Sequence, residues 1–274
     1  MTINCNGKLI DLDSPKVMGI LNITPNSFFD GGKHANEKAI LTQVEKMLQE
    51  GATFIDIGGY SSKPNAEFVS EEEELNRLIP VIQNVVKEFP EIIISVDTFR
   101  SNVAKESIEN GAAIINDISA GNLDAKMMET VAKLQVPYIM MHMKGTPQTM
   151  QSLAQYENIG KEILFYFSQK IAQARSLGIN DLILDPGFGF AKTLEQNFEV
   201  LKKLELFQMT ELPILAGLSR KSMVYKTLET TAEFALNGTT SLNTISLLKG
   251  AKILRVHDVK EAVECIQLFN QLKS

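Results

Sequence analysis

Apolar residues along the chain gather into eight short runs, at 17–23, 53–57, 92–97, 113–118, 136–142, 181–185, 213–217 and 251–256. Runs of four to eight residues rich in Ile and Val read as buried strands. The stretches between them carry the helical period instead. In EKAILTQVEKMLQEG, Ile40, Val44, Met47 and Leu48 fall on one face and Gly51 supplies the stop. Ser70 with Glu73 spells a capping box ahead of a second helix, and 101–111 and 158–178 read as further helices ending at glycine. Eight β/α units with no linker, low-complexity tract or shift in composition predict one domain over 1–274: an α/β (β/α)8 TIM barrel with a short N-terminal extension before its first strand. A doubly wound open sheet is the alternative. Against it, no GxGxxG follows the first strand, and polar residues recur at nearly every strand end rather than at one switch point.

Alternate residues of a strand share a face. Sorted this way, Met18 and Ile20 lead to Asn22, Ile93 and Ser95 to Asp97, Ile114 to Asn116, Met140 to His142, Ile183 to Asp185, and Ile253 to Arg255 and His257. Apolar strands thus turn polar at their carboxyl ends, where a barrel gathers its active site. Burying an amide or a charge without a partner costs several kcal/mol, which makes so regular a placement chemically meaningful.

Each residue alone has a plainer reading. Asn22, Asn116 or Asp56 serves equally as a cap for the next loop. Arg255 and Asp185 suit a structural ion pair inside the barrel. His142, flanked by methionines, reads as a satisfied rim or core histidine rather than a ligand, and the acidic run at 71–74 as a solvated first helical turn. Three glycine-bearing segments favour a site. DPGFGFAKT lets the backbone turn sharply and brings Phe188 or Phe190 over a flat ligand. SRKS sets Arg220, Lys221 and Ser222 at a helix start that favours anions, and NDISAG follows Asn116. Asp97, Asn116 and Asp185 suit a heterocycle with a guanidine-like edge; Arg255 and His257 suit a phosphate.

Composition narrows the setting. The 274 residues are 44% hydrophobic, and the net charge of −6 argues against a general nucleic-acid partner. No apolar window is long enough to span a membrane, and no export signal opens the chain. Cys5 and Cys265 stand far apart without metal-ligand spacing, so both are expected to be structural thiols in a reducing, cytoplasmic compartment.

Eight segments in order, MGILNITPNSFFDGG, DIGGYSSKPNA, SVDTFR, INDISAG, MHMKGTP, LDPGFGF, GLSRKSM and LRVHDVKEA, resemble the dihydropteroate synthase family over nearly the whole chain. The resemblance implies a homodimeric barrel that joins 7,8-dihydropterin-6-ylmethyl diphosphate to 4-aminobenzoate, releases diphosphate, and is a sulfonamide target. By matching motif it implies Asp97, Asn116, Asp185 and Lys221 for the pterin, and Asn22, Arg255 and His257 for the diphosphate. Asn22 is also implied as a ligand to Mg²⁺, which takes few protein ligands. The aminobenzoate pocket falls to Phe28, Ser62, Lys63, Pro64, Phe190, Lys221 and Ser222. Chemistry is then carried by Asn22, Asp97, Lys221, Arg255 and His257.

Two loops depart from the family pattern, with Asn26 where aspartate is usual and Ser62-Lys63-Pro64-Asn65 where Thr-Arg-Pro-Gly is usual. A weaker Asn26–Lys63 contact is expected to replace a charged one, because lysine lacks the guanidinium fork. A pterin-dependent methyltransferase barrel and a catalytically silent pterin-binding protein are the competing functions. The former needs neither the aminobenzoate loops nor the SRKS and RVHD cations.

Overall fold

The computed structural model describes residues 1–23, 33–60 and 68–272, without the side chains of 33–36. It opens on an antiparallel hairpin of β1 (Thr2–Cys5) and β2 (Lys8–Asp11). Asn6 and Gly7 turn it with φ of 51° and 84°, as a two-residue type I′ turn requires. Eight parallel strands then close a barrel: β3 (Lys16–Asn22), β4 (Phe54–Gly58), β5 (Ile94–Asp97), β6 (Ile114–Asp117), β7 (Tyr138–Met141), β8 (Leu182–Asp185), β9 (Ile214–Ala216) and β10 (Ala251–Val256), with β10 pairing back to β3. The eight apolar runs are these strands. Several are shorter than their runs because the outer residues of each run leave the ladder.

Around the barrel lie α1 (Lys33–Gln49), α2 (Glu71–Glu88), α3 (Ser101–Glu109), α4 (Met127–Leu134), α5 (Ile159–Ser176), α6 (Leu194–Lys202), α7 (Ser222–Thr227), α8 (Leu236–Leu248) and α9 (Val259–Gln271). Ile40, Val44 and Met47 of α1 are buried as the period predicts. The expected capping box at α2 is half formed. Ser70 accepts from the Glu73 N–H at 3.1 Å, but the Glu73 carboxylate turns to Arg77 at 2.7 Å. A complete box stands instead at α6, between Thr193 and Gln196.

The strands bury both faces, as parallel strands do. Outward residues such as Ile55, Val96, Ile115 and Leu184 pack with the helices in one large core. Inward residues form a second core of Met18, Phe54, Ile93, Ile114, Ile139, Ile183, Leu215 and Ile253, closed below by Ile3, Cys5, Ile10 and Leu12 of the hairpin. The N-terminal extension is therefore a plug. The alternation expected for the fifth run, strand β7, is out of phase: Ile139 lies in the inner core, whereas Met140 packs outward.

Candidate active site

Beyond the inner core, the inward positions of the strands turn polar. Asn22 pairs in register with Gly58, Gly58 with Asp97, and Asp97 with Asn116, so four strand ends form one row. Gly58 keeps that row open. A β-carbon there would stand 3.4 Å from Asp97 Cβ and 3.9 Å from Asn22 Oδ1.

Arg255 on β10 reaches across the mouth. Its Nε donates to Asp56 Oδ2 at 2.6 Å and its Nη2 to Asp97 Oδ2 at 2.9 Å, while Asn116 Nδ2 donates to the same Asp56 oxygen at 3.1 Å. Asp56 is fully buried, and its Oδ1 has no hydrogen-bond partner among the described residues. Burial pushes the Asp97 carboxyl up to about 7; Arg255 opposes the shift, and Asp56, Glu74 and Asp117 reinforce it. Burial also works against charge on Arg255, but Asp56 and Asp97 outweigh it and raise its pKa. The cation is thus fixed. Arg255 does pair inside the barrel, although with Asp56 and Asp97 rather than with Asp185.

Asp185 ends β8 on the facing side, where its Oδ1 accepts from the Gly187 N–H at 2.8 Å. Burial raises its pKa against the pull of Lys221. Gly187 has φ of 70°, and a β-carbon on it would fall 2.2 Å from the His142 carbonyl oxygen, so only glycine makes this turn. Lys221 donates to the Phe188 carbonyl, and its Nζ lies 5.0 Å from the Phe190 ring centroid. Burial lowers Lys221 to about 8, with Asp185 resisting. Lys221 feels Asp185, Arg255 and Asp97, and Arg255 feels Asp56, Asp97 and Asp185, so these carboxylates and cations share one hollow.

Lys192 lies beneath this turn, buried. It donates to the Gly187 and Phe190 carbonyls at 2.8 and 3.0 Å and lies 3.2 Å from His142 Nδ1. Burial brings it down to about 7 and holds His142 well below the usual imidazole value. His142 is the satisfied histidine that the sequence suggests. Lys192 and Ser219, which hydrogen-bonds to His257, are site residues that sequence reasoning missed. Asp56, which suits a loop cap by sequence, instead accepts from Arg255 and Asn116.

The SRKS segment behaves differently from expectation at one position. Arg220 is not offered to an anion: its guanidinium grips Asp258 through Nε at 2.9 Å and Nη2 at 2.7 Å. Lys221 is instead the N-cap of the short helix α7, and Ser222 begins it. Phe28, Ser62, Lys63 and Pro64, with Asn26 and Asn65, lie outside the described residues.

The donor set suits a hydrated divalent cation more than a caged one. Among the described residues no group of three His, Cys, Asp or Glu side chains gathers to hold a metal. Magnesium keeps several waters and needs one or two protein oxygens, a demand that a single amide oxygen such as Asn22 Oδ1, beside Gly58 in the row of strand ends, would fit.

Residues 18–257 match the pterin binding enzyme family. The chain is 43% identical over 271 residues to the dihydropteroate synthase of Haemophilus influenzae, covering 98% of both chains. The chain belongs to the dihydropteroate synthase family. Its backbone is similar to that of the Yersinia pestis dihydropteroate synthase in complex with a sulfonamide drug, with a TM-score of 0.93, 41% identity, and coverage of 100% of this chain and 99% of that one. The Xanthomonas albilineans dihydropteroate synthase with 4-aminobenzoic acid superposes with a TM-score of 0.92 at 36% identity, over 100% of this chain and 98% of that one. The fold of this chain is thus shared by both of these relatives over its whole length.

Proposed function

We infer that the chain is a dihydropteroate synthase, joining 7,8-dihydropterin-6-ylmethyl diphosphate to 4-aminobenzoate and releasing diphosphate in folate synthesis. The observation that carries this reading is the shared hollow in which Asp97 and Asp185 lie beside Lys221 and Arg255. Carboxylates and the Asn116 amide grip a flat heterocycle by its donor edge. Asn22, Arg255 and His257 hold the diphosphate next to it. Phe190, Lys221 and Ser222, with Phe28, Ser62, Lys63 and Pro64, form the aminobenzoate pocket.

The chemistry is an ionisation followed by capture. As the C–O bond to diphosphate lengthens, negative charge collects on the leaving group against Arg255 and the His257 side chain. A fixed cation at that position lowers the barrier by stabilising charge that develops only in the transition state. Asp97 and Asp185, raised by burial, face the pterin as the methylene carbon becomes cationic. The neutral aromatic amine of aminobenzoate attacks that carbon and then loses a proton, so no strong base is needed to start the reaction. Positioning by Lys221 and Phe190 supplies much of the advantage. Mg²⁺, held by Asn22 and diphosphate oxygens, would add positive charge beside the leaving group.

The same reading includes a homodimer and a cytoplasmic setting. Helices α8 and α9 pack together, and Leu248 and Leu268 on them, with Leu272 at the end of α9, are exposed, which supports burial of these side chains against a second copy. Cys5 and Cys265 are free and buried, and no helix among the described residues is long and apolar enough to cross a membrane.

Diphosphate release from the pterin substrate tests the activity. It should require both aminobenzoate and Mg²⁺. Release that ignored both additives would sink the synthase reading, and tight pterin binding without any release would leave a silent binding protein.

A further inference from the structure

The turn that follows β8 leads from Asp185 to Phe190, and its backbone is unusual. Gly187, Gly189 and Ala191 take φ of 70°, 83° and 47°. Alanine seldom adopts that left-handed region unless its surroundings hold it there. The two phenylalanines between these residues go to different places. Phe188 is fully buried in the outer core, whereas Phe190 packs against a separate cluster of Ile118, Met141, Met143 and Met150, with its ring centroid 5.0 Å from Lys221 Nζ.

Side chains take up the backbone groups of this turn. The N–H groups of Gly187 and Gly189 donate to Asp185 Oδ1 at 2.8 Å and to Asn197 Oδ1 at 2.6 Å, and that of Phe190 closes the turn on the Gly187 carbonyl at 3.1 Å. Two lysines divide the carbonyls. Lys221 donates to Phe188, while Lys192 donates to Gly187 at 2.8 Å and to Phe190 at 3.0 Å. Lys192 is itself firmly seated, buried with its Nζ 3.2 Å from His142 Nδ1, and the His142 ring stands edge-on to Tyr166 at 4.9 Å between centroids. Two carbonyls need two hydrogens. A lysine nitrogen has three as an ammonium and two as an amine, so either protonation state serves the turn.

We propose that Lys192 is a positioning residue for the aminobenzoate half of the site: by gripping the Gly187 and Phe190 carbonyls from beneath, it fixes the Phe190 ring in place before substrate arrives. The proposal rests on the reading of Phe190 as an aminobenzoate ligand. A ring already held where the substrate needs it spares binding the cost of ordering the turn. Asp185 needs no such help, because it belongs to β8 and pairs in register with Met141. Loss of Lys192 therefore separates the two substrates, with aminobenzoate affected and the pterin spared.

Lys192→Met keeps the length of the side chain and removes its donors. It should raise the aminobenzoate KM about tenfold, the scale of leaving a buried carbonyl without its donor, and change the pterin-substrate KM by less than about twofold. In a Phe190→Leu background the same change should add less than about twofold to the aminobenzoate KM, because the ring that Lys192 positions is gone. Additive effects, or equal rises in both KM values, overturn the proposal. Amide hydrogen exchange keeps it testable should Lys192→Met fold poorly. In the substrate-free wild type, the Gly189 and Phe190 N–H groups should exchange at least about a hundredfold more slowly than unprotected amides. Free exchange there overturns the proposal, since a turn gripped from beneath needs no substrate to form. In Lys192→Met that protection should fall while the Gly187 N–H, held by Asp185, keeps its own; a loss spread over the whole barrel marks a merely structural lysine and also overturns it. If Phe190→Leu alone leaves the aminobenzoate KM unaltered, the ligand reading of Phe190 fails and the aminobenzoate role of Lys192 with it, while the exchange data decide separately whether Lys192 holds the turn.

Discussion

The two ends of the barrel are made from the same eight strands and have opposite interiors. At the lower end, Phe54, Ile93, Ile114 and Ile253 meet Ile3, Cys5, Ile10 and Leu12 of the hairpin in one buried apolar cluster. At the upper end, one or two alternations further along the strands, Asp56, Asp97, Asn116, Asp185 and Arg255 share a largely buried mouth. The lower end gains from every apolar group removed from water, about 1.5–3 kcal/mol for each large side chain. The upper end bears desolvated charges, whose mutual attraction seldom exceeds the cost of burying them. A closed barrel lets one end stabilise what the other needs for chemistry, since both belong to one hydrogen-bonded cylinder.

The widest separation between the ends comes from Arg255→Met. Turnover should fall by about three orders of magnitude, the scale of losing a preorganised charge at a leaving group. Removing one partner from a buried ionic network also leaves Asp56 and Asp97 facing each other, at a cost of about 3–5 kcal/mol in stability. Adding Asp56→Asn should recover part of the stability, measured by chemical denaturation, and none of the turnover. Recovery of turnover would show that the cation is only structural. At the plug, Leu12→Ala should cost about 3 kcal/mol from cavity formation and lower Tm by several degrees, with Leu12 fully buried in the wild type. Its kcat should match wild type, because the change sits at the far end of the barrel. A large kcat defect would break the division of labour between the two ends.

Much of this contrast was legible in the sequence because strand alternation brings apolar-to-polar transitions into phase. Asn22, Asp97, Asn116, Asp185 and Arg255 were found that way, and the structure gathers them at one mouth. The rule failed on β7 for a physical reason. Tyr138, Ile139, Met140 and Met141 are all buried and apolar, and the polar residue used to set the phase, His142, lies beyond the end of the strand. The plug did have a signal, the Asn6-Gly7 pair between alternating residues, and its φ values of 51° and 84° are those of a hairpin turn. Lys192 and Ser219 had none. A lysine in a glycine-rich loop ordinarily reaches solvent, and only the packing of that loop over His142 turns it inward.

Asp97 offers a finer division between the ends, read through pH. Burial, opposed by Arg255, raises its carboxyl from 3.8 to about 7. Between those values the folded chain keeps a proton that the unfolded chain has released. Its contribution to stability is therefore complete below about pH 4 and is lost as pH climbs toward 7. Asp97→Asn cannot titrate, so the stability gap between wild type and variant should narrow in the wild type's disfavour across that window, and then stay level. Parallel curves from pH 4 to 8 would mean that the mouth does not strain this carboxylate. The same experiment on Leu12→Ala should give parallel curves, since Leu12 packs in an apolar cluster whose Cys5 thiol is pushed by burial up to about 12, beyond this window.

The smallest effect concerns how the plug is fastened. The Asn4 N–H donates to Asp181 Oδ2 at 2.8 Å, joining the hairpin to the loop that leads into β8. This bond is exposed at the edge of the lower end, so water replaces it readily when it is removed. Asp181→Ala should cost about 1 kcal/mol, the usual net worth of one hydrogen bond, and leave kcat and both KM values unaltered. Amide exchange gives the sharper readout: the Asn4 N–H should lose protection, while Ile3 and Ile10, held by the hairpin ladder and the inner core, keep theirs. If the whole hairpin lost protection together, the plug would be secured by that single contact rather than by its apolar face.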